Sequence, residues 1–453
     1  MNKKIQYIVW ISKDIPDSLI ETIREYKKVN QEEKMGWNLL ISSNSRKEIE
    51  GVTYIDKKQL YNKIVAATKD IVPEDVIEFA LFAKNFLNII DTIDTGTHRN
   101  AALLATTGQK IILSDDDVLC KFHQIENNKR RLKVDVNDVK TFYFENKNIS
   151  ELAITYDSNS NLTRIISAHQ KLLNAKADDH QMRVLATMTG VHGESIADTP
   201  IHLLRQVHYL TGEELYLKAK INKLALSYSK DYLVRKKIHF VSMFSALNNE
   251  ELLPPFFPIG RNQDGVFGAA LMACLPNSLI GQVPWVAKHE HFPPRNYDES
   301  DISNYSFKLH ALIISLLNYY TETNHTKTID ITKYRYQEVG RALINFSKLD
   351  DSDFIRFMQN YISNINYRIT LELGKYLVAN QHYSREWQKD IKKYLINAQQ
   401  YEKTEQFCIP QELISKNRNL KENIELTKQL IRMYGKLLYY WPDIIKSMKN
   451  ITN

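Results

Sequence analysis

Apolar and polar positions along this chain fall into blocks that fit an α/β unit first and a run of helices later. Tyr7 to Ile11 is a compact apolar run of strand formers ending in Ser12-Lys13-Asp14, and Pro16-Asp17 then opens an amphipathic stretch to about Val29 that predicts a helix. Trp37–Ile41 and Val52–Ile55 predict a second and third strand. Strand, helix, strand at this spacing implies an α/β domain with a parallel sheet. Pro73 to Ile93 has helical periodicity, with Phe79, Phe82, Phe86 and Ile90 on one face. A second helix is expected over His98 to Thr106, with Gly108 where a C-terminal cap belongs. Lys110-Ile111-Ile112-Leu113 then reads as a short buried strand, followed at once by Ser114-Asp115-Asp116-Asp117. The three aspartates therefore stand at the carboxyl end of a core strand, where open α/β sheets bind ligands.

Further along, Thr141-Phe142-Tyr143-Phe144 and Leu162 to Ile166 suggest more strands, with antiparallel pairing open to them. Gly190-Val191-His192-Gly193 has the composition of a loop, and Pro254 to Gly260 and Pro293-Pro294 break any helix. Beyond about Tyr305 glycine and proline become scarce and helical periods dominate: Leu309–Tyr320, Phe354–Ile365, Ile369–Ala379 and Ile424–Tyr440. No repeat of fixed period is present. The expected architecture is an α/β domain over residues 1–300 followed by an α-helical C-terminal region over residues 301–453.

Composition changes this picture little. Of 453 residues, 43% are hydrophobic and 25% charged, enough for an ordinary core and too ordered a balance for wholesale disorder. The formal net charge of +7 is mild for this length and suits an anionic ligand or loose contact with an acidic membrane surface. No basic run with interleaved aromatics argues for nucleic acid, and Lys129-Arg130-Arg131 reads as solvated surface. Cys120, Cys274 and Cys408 are isolated and odd in number, which makes a disulfide framework or zinc knuckle an unfavourable reading. The N-terminal apolar run is short and lacks a small-residue cleavage site, and no stretch approaches the ~20 residues of a membrane span. A soluble, cytoplasmic protein is expected.

Adjacent aspartates repel one another and resist burial, so at the end of an apolar strand they call for compensation. A divalent cation bridging to a diphosphate supplies it, because Mg²⁺ and Mn²⁺ favour carboxylate oxygens and leave positions open for phosphate. In an extended or turning segment Asp115 and Asp117 point the same way, so one can reach a metal while another holds a ribose. The structural alternative is a polar turn that caps a helix.

The segment from His98-Arg99-Asn100-Ala101-Ala102 through Thr107-Gly108 to Leu113-Ser114-Asp115-Asp116-Asp117 resembles the core of GT-A glycosyltransferases, especially family-2-like enzymes. In that family a helix opening with Arg-Asn leads through a glycine and a strand into a DxD-type motif. The resemblance implies a GT-A fold, a nucleoside-diphosphate sugar as donor and Mn²⁺ or Mg²⁺ as cofactor. Arg99 would meet the diphosphate, or else serve as a structural ion-pair partner, Asp115 and Asp116 would meet the nucleotide, and Asp115 and Asp117 the metal. Arg261-Asn262-Gln263-Asp264-Gly265 is similar to the family's acceptor-side acidic segment, with Gln263 in place of the first acid. That leaves Asp264 as the implied general base, or else as a helix cap. Some members supply a late histidine to the metal, a role open here to His289 or His291 in Lys288-His289-Glu290-His291. The opening strand around Trp10-Ile11-Ser12 also looks a little like that of sugar-transferring bacterial toxins. In either grouping these three residues are candidate contacts to the nucleotide base, with Trp10 equally open to a place in the core.

Other ionisable groups carry less. His180, His192, His202 and His208 match no metal-helix spacing, and Asp178-Asp179-His180 reads as surface or as an acceptor-side element. Glycine-rich phosphate loops and a GxSxG elbow are absent. The expected function is metal-dependent hexosyl transfer to a glycan, lipid-linked or protein acceptor. The rivals are a nucleotidyltransferase of related fold, which normally carries a Gly-rich basic loop where Ser12 to Asp17 stands, and a non-catalytic helical scaffold. The C-terminal helices are free to bind a protein acceptor, form a homo-oligomer or touch a membrane.

Overall fold

The computed structural model describes residues 4–87, 93–125, 132–134, 140–143, 161–175, 182–194, 201–205, 213–222, 224–236, 239–291, 303–323, 332–379, 384–404, 406–415 and 417–452. In chain order the elements are β1 Ile5–Ile11, α1 Asp17–Glu32, β2 Asn38–Ser42, β3 Thr53–Tyr54, α2 Lys57–Ala67, α3 Glu74–Leu87, α4 Thr95–Ala105, β4 Lys110–Asp115, β5 Val118–Gln124, β6 Leu132–Val134 and β7 Lys140–Tyr143. They continue with α5 Asn161–Leu173, β8 Arg183–Glu194, α6 Ile201–Leu204, α7 Glu213–Asn222, β9 Leu224–Tyr228, β10 Tyr232–Arg235, β11 Phe244–Asn248, α8 Gln263–Cys274 and β12 Ser278–His289. The helical region holds α9 Leu309–Thr323, α10 Thr332–Phe346, α11 Asp351–Ala379, α12 Arg385–Tyr401 and α13 Leu420–Thr452.

The protein is an α/β structure built on one mixed sheet, in the order β3-β2-β1-β4-β11-β8-β12-β10-β6, with β5 also on β12 and β9 on β8. The first four strands are parallel. β11 runs antiparallel to both β4 and β8, and β12 returns to parallel pairing with β8. Alternation along β1 explains why it is central. Ile8 and Trp10 pack with α1 and α5 on one face, while Val9 and Ile11 join the larger cluster on the other. A strand apolar on both sides can only be interior.

α4 is buried along nearly its whole length. Its Asn100 donates from Nδ2 to the carbonyls of Ala80 (3.2 Å) and Phe256 (3.1 Å), and its Oδ1 accepts the Phe256 N–H at 2.8 Å. Gly96 lets this helix lie against backbone: a Cβ there would stand 2.0 Å from the Phe257 carbonyl oxygen. Gly108, with φ +82°, ends the turn after α4 and donates to the Asn249 carbonyl at 2.9 Å.

The C-terminal helices share the hydrophobic cluster of the α4 face of the sheet. Trp441 Nε1 donates to the Leu253 carbonyl at 2.7 Å, Tyr434 Oη to Pro255 at 3.1 Å and Arg335 Nε to Ala273 at 3.0 Å. α10 and α13 cross at Gly340 and Gly435, where a Cβ on Gly340 would stand 2.5 Å from the Gly435 carbonyl oxygen. Among the described residues no helix is long and apolar enough to cross a membrane. The three cysteines are buried free thiols.

Three expectations need correction. Leu162 to Ile166 is the start of helix α5, because the inward residues recur as Leu162, Ile165, Ile166, His169 and Leu172, a period that a five-residue window conceals. Gly190 to Gly193 is strand: it lies within β8, where neighbouring backbones press so closely that a Cβ on Gly190 would stand 2.1 Å from the Ser227 carbonyl oxygen. Phe354–Ile365 and Ile369–Ala379 are one continuous helix, α11. Ile90, Lys129-Arg130-Arg131, Phe144 and Pro293-Pro294 lie outside the described residues.

Two outcomes follow from this packing. Gly340→Ala should lower stability by about 1–3 kcal/mol, read from urea midpoints, because two helix backbones must separate. His169, sealed between Thr187 (2.7 Å from Nδ1) and Phe244, is held neutral by burial, its pKa lowered to about 3. A histidine with a lowered folded pKa costs stability as pH falls from the unfolded value toward the folded one. His169→Gln should therefore flatten the acid loss of stability by about 1.4 kcal/mol per pH unit between about pH 6 and about pH 4.

Candidate functional site

The chain leaves β1 for β2 and β3 on one side and returns to β4 on the other, so a crevice opens at the carboxyl ends of β1 and β4. Ile11 pairs with Asp115 at this edge. One step beyond, Ser12 Oγ donates to Asp116 Oδ2 at 2.5 Å and so bridges the two strand ends. The Asp115 N–H donates to Met243 O at 2.8 Å. Asp116 and Asp117 form the turn into β5, and the Glu290 N–H donates to the Asp117 carbonyl at 2.9 Å. The triplet thus joins two strands and caps no helix.

Arg99 reaches the crevice from α4. Its Nη2 lies 2.6 Å from Asp115 Oδ1 and its Nη1 donates to Gln263 Oε1 at 3.4 Å, with the guanidinium 5.8 Å from the centre of the Phe256 ring. Gln263, at the position where an acid was expected, also donates to the Gly260 carbonyl. Its amide orients Arg99 where a carboxylate would add a further negative charge. Asp264, in the first turn of α8, accepts the Ser242 N–H on Oδ2 at 3.1 Å and the Gly265 N–H on Oδ1 at 2.9 Å. These bonds hold the carboxylate facing Asp115, whose pKa it helps to raise.

His289 ends β12 with Nε2 at 3.1 Å from Asp117 Oδ2. Its Nδ1 lies 2.9 Å from the Glu194 carbonyl oxygen. A carbonyl only accepts, so Nδ1 carries a proton, and Nε2 is left to face the carboxylate. Two acceptors facing at this distance need a shared proton or a cation. Tethering the far nitrogen to a backbone carbonyl is the arrangement that orients a metal-binding imidazole. Gly193 makes it possible: at φ +124° it lets β8 pass β12 so tightly that a Cβ would stand 2.0 Å from the His289 carbonyl oxygen.

The charge balance is uneven. Asp115, Asp116, Asp117 and Asp264 converge, and Arg99 is the guanidinium among them. Burial pushes the Asp115 carboxyl up to about 7, opposed by Arg99 and assisted by the other three carboxylates. Burial and then Asp117 push Asp116 up to about 6, while Ser12 and the nearby His291 pull it down. Such a cluster attracts a cation. Asp117 and His289 offer one oxygen and one nitrogen to it. Among the described residues no three or more His, Cys, Asp or Glu side chains are grouped to hold an ion.

Of the sequence-predicted residues, Ser12, Arg99, Asp115, Asp116, Asp117, Asp264 and His289 meet at this edge, with His291 half-buried beside Asp116. Trp10 does not: it is fully buried edge-on to Tyr26 at 5.0 Å, on the α1 side of the sheet. Ile11 is buried on the other face, leaving its backbone at the strand end. His192 is buried in β8, its pKa lowered to about 4 by burial and then by Lys288. Asp178-Asp179-His180, His208 and the His202 side chain lie outside the described residues. Gln263, Gly193 and the carbonyls of Glu194 and Met243 were missed. The Gly-rich run at 190–193 and the glutamine standing in place of an acid at 263 were the hints the sequence held. No protein-family model and no curated protein matches this chain.

Gly193→Ala should displace the β12 end that carries His289. A stability loss of about 2 kcal/mol or more is expected in urea unfolding, larger than for Ala at exposed Gly36, where no atom lies within 4 Å.

Proposed function

We propose that this chain is a metal-dependent glycosyltransferase of GT-A type, moving a sugar from a nucleoside-diphosphate sugar to an acceptor hydroxyl. The observation that carries the proposal is the Asp117 Oδ2–His289 Nε2 approach of 3.1 Å, with the imidazole tethered at Glu194, in the switch-point crevice of the sheet. One carboxylate oxygen and one imidazole nitrogen suit Mn²⁺ better than Mg²⁺, which prefers an all-oxygen shell. When bound there, the cation supplies Lewis-acid stabilisation of the departing diphosphate.

The protein's own groups have separate tasks. The Ile11 backbone and Ser12 form the floor for the base and ribose, and the Ser12–Asp116 bond fixes that floor. Arg99, already oriented by Gln263 and Asp115, presents a guanidinium to diphosphate oxygens. Asp264, held by two backbone N–H groups, is the acceptor-side carboxylate. In the transfer it takes the acceptor's hydroxyl proton. The freed oxygen bonds to the anomeric carbon, and the carbon–oxygen bond to the diphosphate breaks with its electron pair leaving on the diphosphate. A base acting in line inverts the anomeric centre.

The test is a panel of nucleoside-diphosphate sugars with Mn²⁺, read by thermal shift and by release of nucleoside diphosphate. One donor should stabilise the protein only with metal, and Asp117→Asn and His289→Ala should each abolish that shift. Asp264→Asn should keep the shift and lose about a hundredfold or more in turnover. A nucleotidyltransferase would instead release pyrophosphate from a nucleoside triphosphate and a sugar phosphate. A scaffold would show no metal-dependent shift with any nucleotide, and that result would sink the proposal.

A further inference from the structure

The face of the helical region formed by α11 and α12 has an unusual surface. On α11, Tyr367 (63% exposed), Leu371 (46%) and Val378 (73%) recur at helical spacing on the side opposite the buried Phe354, Met358 and Ile362, and on α12 Ile396 is 52% exposed. Four large apolar side chains stand in open solvent on two neighbouring helices, a concentration of the kind that marks an interaction site. The two helices pack on each other and rest on the same support. Glu372 of α11 pairs with Arg205 at 2.7 Å, and Trp387 Nε1 of α12 donates to the adjoining Leu204 carbonyl at 3.1 Å. Their outward faces therefore lie side by side.

Lysines predominate around the patch. Lys389, Lys392 and Lys393 are exposed around Ile396 on the outward face of α12, and Lys375 flanks Val378 on α11. The nearby carboxylates are largely turned elsewhere. Asp390 points inward to Lys220 (2.9 Å) and Tyr216 (2.7 Å), Glu372 to Arg205, and Glu402 accepts from Asn366 at 2.5 Å. Glu386 offsets Lys389 through a loose pair at 3.4 Å on exposed side chains, which contributes little.

We infer that this face docks on an anionic lipid surface. Apolar side chains with a tyrosine, fringed by long lysines, match the headgroup boundary: the rings and methyls enter the acyl edge while the ammonium groups stay at the phosphates. No helix among the described residues spans a bilayer, so the protein would lie on the surface. A second copy is a poorer occupant, because face-to-face pairing sets lysine against lysine. The inference does not depend on the chemistry at the sheet edge.

The experiment is co-sedimentation of the full chain with vesicles of phosphatidylcholine alone and with phosphatidylglycerol added. Sedimentation is expected only with phosphatidylglycerol present. The triple variant Lys389→Glu, Lys392→Glu, Lys393→Glu should weaken it on the order of a hundredfold, from about fivefold per lysine. The pair Leu371→Ser, Val378→Ser should weaken it about tenfold. All five positions are exposed, so urea midpoints should match the parent. If a variant unfolds, the parent's comparison of the two vesicle types still decides. No sedimentation of the parent with anionic vesicles overturns the inference. Binding that is indifferent to the Leu371/Val378 pair also overturns it and points to an acidic soluble partner.

Discussion

The contact between Arg99 and Asp115 is the constraint on which the rest of the crevice depends. Four carboxylates converge on one edge of the sheet, and this guanidinium is positioned among them at 2.6 Å from Asp115 Oδ1. Removing Asp115 would leave the buried Arg99 guanidinium without its carboxylate partner. The packing of α4 follows from that need. Arg99 must arrive from a helix set against the strand ends, and the run Ala101, Ala102 with Gly96 lets this helix approach that closely. Even so Asp115 and Asp116 both remain above the ordinary carboxylate range, through burial first and then through their carboxylate neighbours.

A second constraint comes from the other half of the sheet. β12 carries His289 to Asp117 because it pairs antiparallel with β5, His289 opposite Val118, while glycine at 193 lets β8 lie closely against its other side. The β8 contact sets the Glu194 carbonyl against Nδ1 and so places a proton there. Strand pairing, backbone conformation and side-chain chemistry act here through one short stretch. The helices beyond residue 303 back the opposite layer. They tie by side-chain hydrogen bonds to the carbonyls of Leu253, Pro255 and Ala273, in and around the segment that leads into Gln263 and Asp264. The helical region therefore steadies the Gln263–Asp264 side of the crevice, while among the described residues Tyr367, Leu371, Val378 and Ile396 stay exposed on α11 and α12.

Much of the α/β half was legible in the sequence. The apolar run at Tyr7–Ile11 and the strand into Asp115-Asp116-Asp117 are short, dense and bounded by polar turns, so local pattern and burial agree. Leu162–Ile166 misled because five residues do not separate a period of 2 from one of 3.6. Gly190 to Gly193 misled because glycine marks both loops and close backbone approach, and only the neighbouring strand tells which. Trp10 was placed on the correct strand end, yet alternation turns its ring into the core.

By itself the sequence determined which strand ends in acids, that Arg99 opens the preceding helix, and that helices close the chain. These are local properties, set by composition and period within a few turns. Only the tertiary structure decided that Ser12 bridges to Asp116, that Gln263 steadies Arg99, and that His289, more than 170 positions after Asp117, meets it with Nδ1 already engaged. Those contacts depend on strand order and register, which arise from non-local pairing and leave no periodic trace in the residues that make them.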